Sequence, residues 1–164
     1  MSRYAVFLPL LLILPAAALA DAQSDCQAAA GHYLTGEIVS APKFAHGKPL
    51  HGVELSHTHF SLLADQDQQT YDVAADNVFA PGYDQSKHAV PAPLNALHAG
   101  QHVELCGQLY TGGGVGIHWV HTNCGAAPTP AAPDGWVRVL DSDGTRGDNL
   151  EGSTEYCRLW GNKG

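Results

Sequence analysis

A small, mainly β barrel with a short helical insert and disulfide staples is the fold class this chain predicts, on three observations. The stretch Val103 to Cys124, VELCGQLYTGGGVGIHWVHTNC, reads as a β-hairpin: apolar and polar residues alternate on both sides of Gly112, Gly113 and Gly114, and glycines supply the positive φ a hairpin loop needs. Further short segments alternate with period two between turn residues. All four cysteines, Cys26, Cys106, Cys124 and Cys157, follow an apolar leader, the usage of an oxidising compartment.

The leader comes first in the chain. Ser2, Arg3 and Tyr4 form a short basic start, Ala5 to Leu14 an apolar run, and Ala18-Leu19-Ala20 a small-residue cleavage site before Asp21, the pattern of a signal peptide over residues 1–20. An apolar run of roughly ten residues is half of the ~20 a membrane span needs, so no membrane span is expected. The resulting localisation is exported, periplasmic or extracellular. Residues 21–164 suffice for one domain, divided into a barrel over 21–140 and an acidic, Gly/Asp-rich tail over 141–164 tied back by Cys157.

Asp21 to Gly31 is alanine-rich and reads as a short helix or irregular lead-in pinned by Cys26. His32 to Ser40 is a first strand in which Gly36 marks a bulge or a close backbone contact. Val53 to Ala64 is the second, with Val53, Leu55, His57 and His59 on one face and Glu54, Ser56, Thr58 and Phe60 on the other. Asp65-Gln66-Asp67 turns it into Gln69 to Ala74. Asp76 to Ala92 reads as a long exposed connection, and Pro93 to Ala99 holds a helical turn or two. The hairpin follows, then the stiff surface spacer GAAPTPAAPDG, then a short strand from Trp136 to Leu140.

The first five of these strands, with the helical turn between the third and the fourth, match a barrel of the oligonucleotide/oligosaccharide-binding type. Gly107, the Gly-Ile-His-Trp-Val-His run at Gly116 to His121, and the pair Gly135-Trp136 resemble a bacterial family of small exported domains of unknown function, in which a G-x-I-H-W-x-H segment precedes a G-W-I/V pair. The resemblance spans roughly Gly36 to Val139 and rests on His118, Trp119, His121 and Trp136. It implies this barrel and an exported setting, and it brings no established activity. Cys124, the added Ala and Pro residues and the tail from Asp141 depart from that pattern.

The net charge is −8 with His neutral, and loss of Arg3 with the leader makes it −9. With no basic run to neutralise phosphates, nucleic acid is not an expected partner. The cysteines fit two disulfides. Flanking positions favour Cys106 with Cys124, and proximity to the chain ends favours Cys26 with Cys157. No C-x-x-C supports a structural zinc site.

Ten histidines against one methionine direct attention to imidazole chemistry. His57 and His59 project from one strand face, and with His118 or His121 they supply a ligand set for Zn²⁺ or Cu²⁺. Glu54 or Glu104 would then serve as base in a metal-dependent hydrolase. The competing reading is dispersed surface histidine, with no cofactor required. Trp119 and Trp136 form a candidate stacking platform beside His118 and His121, or fill the core, where Trp119 is favoured because it shares the phase of Ile117 and Val115. The acidic run Asp141-x-Asp143-Gly144 with Asp148 and Glu151 reads as an Asp-Gly turn before it reads as a Ca²⁺ site. No serine-hydrolase elbow, P-loop or dinucleotide fingerprint is present, so the leading expectation is a binding module for a small ligand or protein.

Overall fold

The computed structural model describes residues 16–161, with side chains from Asp21 onward. Residues 1–15, which carry most of the expected signal peptide, lie outside the described residues. Helix α1, Ala16–Ala28, runs across the expected cleavage boundary and buries Ala22 and Cys26. None of the described helices is long and apolar enough to cross a membrane.

The strands are β1 (His32–Ile38), β2 (Lys43–Ala45), β3 (Pro49–Leu50), β4 (Val53–Glu54), β5 (His57–Ala64), β6 (Thr70–Asp76), β7 (His102–Tyr110), β8 (Gly116–His118) and β9 (Trp136–Val139), with the short helix α2, Ala92–Asn95, between β6 and β7. Strand β1 pairs antiparallel with both β5 and β7. β5 pairs with β6, β6 runs parallel to β8, and β8 pairs with β7. The ring β1-β5-β6-β8-β7 therefore closes on itself. Counted as five barrel strands it has the order 1-2-3-5-4-1 with the helix between the third and fourth, the expected small β-barrel with its helical insert. β2 lies along β5, and β9 extends β7.

Closure follows from the pattern of side chains. Leu34, Ile38, Phe60, Leu62, Val73, Val103, Leu105 and Ile117 all point inward and are buried, as period-two segments require. At Gly36 a Cβ would strike the backbone of Leu63 on the paired strand, so the close contact read from the sequence is what this glycine permits. The turn at Asp143-Gly144 is a plain Asp-Gly turn: Asp143 Oδ1 accepts from the Thr145 amide at 2.9 Å and Gly144 has φ +82°.

Three expectations are corrected. The disulfides join Cys26 with Cys106 and Cys124 with Cys157, because β7 turns Cys106 outward under α1 while the tail returns beside the loop after β8. On β7, Glu104 and Cys106 alternate with the core residues yet are fully buried. Helix α1 covers Cys106, and Glu104 is enclosed by the Tyr33 hydroxyl at 3.1 Å, Arg138 at 3.5 Å and Arg146 at 3.4 Å. The segment after Asp76 is exposed only in part: Asn77, Val78, Phe79, Ala80 and Tyr83 are buried, whereas residues 84–89 are exposed. A polar chain ties this segment to β5. Thr58 Oγ1 donates to Asn77 Oδ1 at 2.5 Å, Asn77 Nδ2 to Ser56 Oγ at 2.9 Å, and the Tyr83 hydroxyl to the Glu54 carbonyl at 2.7 Å. Finally, Trp136 is the core tryptophan and Trp119 is only half-buried. Strand β8 stops at His118 and Trp119 takes φ +52°, so the phase shared with Ile117 is broken.

Candidate functional site

The outer face of β5 and β6 gathers the chemistry. His57 and His59 share it, with ring centroids 6.2 Å apart, because residues two apart on a strand project together. The hairpin register sets His57 directly opposite Asp76, and His57 Nε2 lies 2.6 Å from Asp76 Oδ1. Asp72 meets His59 Nδ1 at 2.8 Å and accepts from the Tyr110 hydroxyl at 2.5 Å. The left-handed turn at Trp119 then brings His121 back to the same side, where its Nε2 lies 3.2 Å from Asp76 Oδ2 and its Nδ1 2.8 Å from the Thr122 carbonyl. Each N–H that His121 carries thus has an oxygen acceptor. His118 stands edge-on to Tyr110 at 5.3 Å.

Charge and burial act oppositely on these groups. Burial pushes Asp76 up, but the hydrogen bonds from His121 and His57 outweigh it and hold the carboxyl well below its ordinary range. The same bond raises His57 against its burial. His118 is lowered by burial, with Asp76 opposing. Behind Asp76 sits Glu151, wholly buried, and neither of its carboxyl oxygens meets a hydrogen-bond partner among the described residues. Burial, and then the charge of Asp76, push the Glu151 carboxyl well above the usual range.

Above this polar floor lies a cavity of about 330 Å³. Its walls are Leu55, Val78, Phe79, Trp119, His121 and Trp160, with the Cys124 half of a disulfide at one side. Phe79 stacks on His121 with centroids 3.7 Å apart and planes 5° from parallel, and Trp160 lies over Phe79 at 5.4 Å. Trp119 approaches His121 at 5.0 Å. Among the described residues Asp76 is the one acid in the lining, and none of them lining the cavity is a Lys or Arg.

Of the sequence-predicted ligand residues, Trp119 and His121 line this cavity. His118 lies beside Tyr110, and Trp136 is buried against Cys26 and Cys106 beneath Arg138, whose guanidinium lies 4.7 Å from its ring. The four histidines of the predicted metal set are spread over this face. His57, His59, His118 and His121 do not converge on one point: Asp76 and Asp72 engage the nitrogens of His57, His121 and His59. Among the described residues, the donors that do converge are His46, Glu54 and His88, whose ligand atoms lie within 4.8 Å of one another. Of the predicted bases, Glu54 belongs to that group and Glu104 is committed to Tyr33, Arg138 and Arg146.

Sequence reasoning missed Phe79, Trp160 and Asp76. Asp76 had a signal, since a hairpin turning at residues 65–68 sets it against His57. For Trp160 the signal was Cys157, three positions before it, which returns the tail to the body without specifying what Trp160 meets, and Phe79 had none, as it sits in a segment without strand or helix periodicity. No family model matches the chain, and neither a curated protein nor a solved structure matches it.

Proposed function

We propose that this chain is an exported binding module that takes a small, planar, non-anionic ligand into the cavity between Trp119 and Trp160. The single observation that carries the reading is a partly open cavity with aromatic walls and a polar floor, the composition of small-molecule sites. A dry cavity of about 150 Å³ accommodates benzene, so this volume suits a ligand on the order of two fused rings. Stacking on aromatic side chains contributes about 1–3 kcal/mol per ring contact. Among the described residues the lining holds Asp76 and no Lys or Arg, which disfavours an anion. The two disulfides are compatible with an oxidising compartment. Barrels of this type bind ligands across the second and third strands, the same β5–β6 face, but here that face carries His57, His59, Asp72 and Asp76. Basic residues for a phosphate backbone are missing from it.

The metal-dependent hydrolase has less support, because the histidines it requires are each bonded to a cross-strand carboxylate or set apart from the others. The test is calorimetric titration of the tag-free protein with indole and with indole-3-acetate, the same rings with and without a carboxylate. Indole is expected to bind and the acetate to bind more weakly. Equal binding of both, or none, contradicts the reading.

A further inference from the structure

A second site lies outside the cavity. We infer that His46, Glu54 and His88 form a binding site for a divalent transition-metal ion, Zn²⁺ in the first instance. His46 follows β2, Glu54 ends β4, and His88 follows a turn of 3-10 helix at Gln85–Lys87. Three separate stretches of chain therefore contribute one donor each. His46 Nδ1 lies 2.7 Å from Glu54 Oε1, His88 Nδ1 lies 3.5 Å from Glu54 Oε2, and the two imidazole rings are 5.5 Å apart.

These distances suit an ion bound between the groups. Zinc takes nitrogen and carboxylate oxygen at about 2.0–2.2 Å, which in a tetrahedron spaces ligand atoms about 3.4 Å apart. His46 Nδ1 and Glu54 Oε1 need to part by under 1 Å, the ligand atoms of all three residues already lie within 4.8 Å of one another, and both rings are free to adjust because their side chains are 71% and 60% exposed. The carboxylate, by contrast, is held. Glu54 is only 16% exposed, its Oε1 also accepts from the Gly47 amide at 3.2 Å, and its own amide donates to Gln85 Oε1 at 2.8 Å.

Two imidazoles with one carboxylate select zinc, copper or nickel over calcium or magnesium, which prefer all-oxygen shells. Three protein ligands leave a fourth position for water, the pattern of an open zinc site. The backbone of His88 has φ +43°, a left-handed conformation that costs free energy in a residue with a Cβ. Binding an ion there would fasten the β3–β4 hairpin to the long connection between β6 and β7.

The experiment is isothermal titration of the tag-free full chain with Zn²⁺, and with Co²⁺ read by its visible bands, comparing wild type with His46→Ala, His88→Ala and Glu54→Gln. The expected result is one ion per chain in wild type and at least tenfold weaker binding in each variant, with unchanged far-ultraviolet dichroism in the absence of metal. His57→Ala with His59→Ala is expected to bind as wild type does. No uptake at submillimolar Zn²⁺, uptake unaffected by the His46 and His88 changes, or uptake lost in the His57/His59 variant would each overturn the site. Because the two histidines are exposed, their replacement leaves the fold standing and the result interpretable.

Discussion

Replacing Cys124 and Cys157 together by serine releases the C-terminal segment from the barrel and removes a wall of the cavity. The bridge closes a loop with a sequence separation of 33. In the chain-entropy model the restriction it places on the unfolded chain is worth about 3.7 kcal/mol at 25 °C. The other bridge, with a separation of 80, is worth about 4.5 kcal/mol by the same relation. For a chain of this size about 1 kcal/mol moves Tm by about 2–4 °C, so the Cys124/Cys157 double variant should melt about 7–15 °C below wild type. Local loss should accompany the global one, because Trp160 and the buried Leu159 stay seated only through this segment. The assay is urea denaturation followed by tryptophan emission and, separately, by far-ultraviolet dichroism, on protein whose linkages have been mapped under non-reducing conditions. The reasoning is refuted by a loss below about 1 kcal/mol, or by a peptide map that links Cys106 to Cys124.

Three further outcomes are expected. Glu151→Gln should gain stability relative to wild type as pH rises: the folded carboxyl stays protonated above its ordinary range, so ionisation in the unfolded chain above about pH 4.3 draws wild type toward unfolding. Urea midpoints that differ equally at pH 3 and pH 7 would contradict this. Asp76→Asn should cost about 1–3 kcal/mol by stranding His57 and His121. The lowered Asp76 contributes stability above about pH 3.9 that is lost as pH falls, and the raised His57 contributes stability below about pH 6.5 that is lost as pH rises. The gap between wild type and variant should therefore peak between those values, and a flat gap across pH would speak against the pairing. Gly36→Ala should destabilise by about 1–3 kcal/mol through overlap with the Leu63 backbone, read as a lower urea midpoint with an unchanged slope.

The strand segments were legible because burial imposes a period of two on them, and the barrel order followed once the helical turn at Ala92–Asn95 separated β6 from β7. The shared face of His57 and His59 was legible for the same reason. What escaped was every feature made by backbone irregularity or by distant segments meeting. Trp119 looked like core because its neighbours alternate, and one positive φ turned it to the cavity. Glu104 was read as a candidate base, and Arg138, Arg146 and Tyr33 close over it instead. Phe79 and Trp160 lie 81 positions apart in the chain and meet only because the tail returns to Cys124, a pairing that four cysteines among three possible connectivities do not specify.

The claim that ligand enters between Trp119 and Trp160 is tested most directly by nitrogen-15 correlation spectra of the full chain titrated with indole. The chain has three tryptophans, so their side-chain N–H signals provide a built-in comparison. The account predicts that the Trp119 and Trp160 signals move in a saturable manner while Trp136, buried against the Cys26–Cys106 bridge, stays in place. Movement of Trp136 alone, or no movement of Trp119 and Trp160 up to the solubility limit of indole, would contradict it.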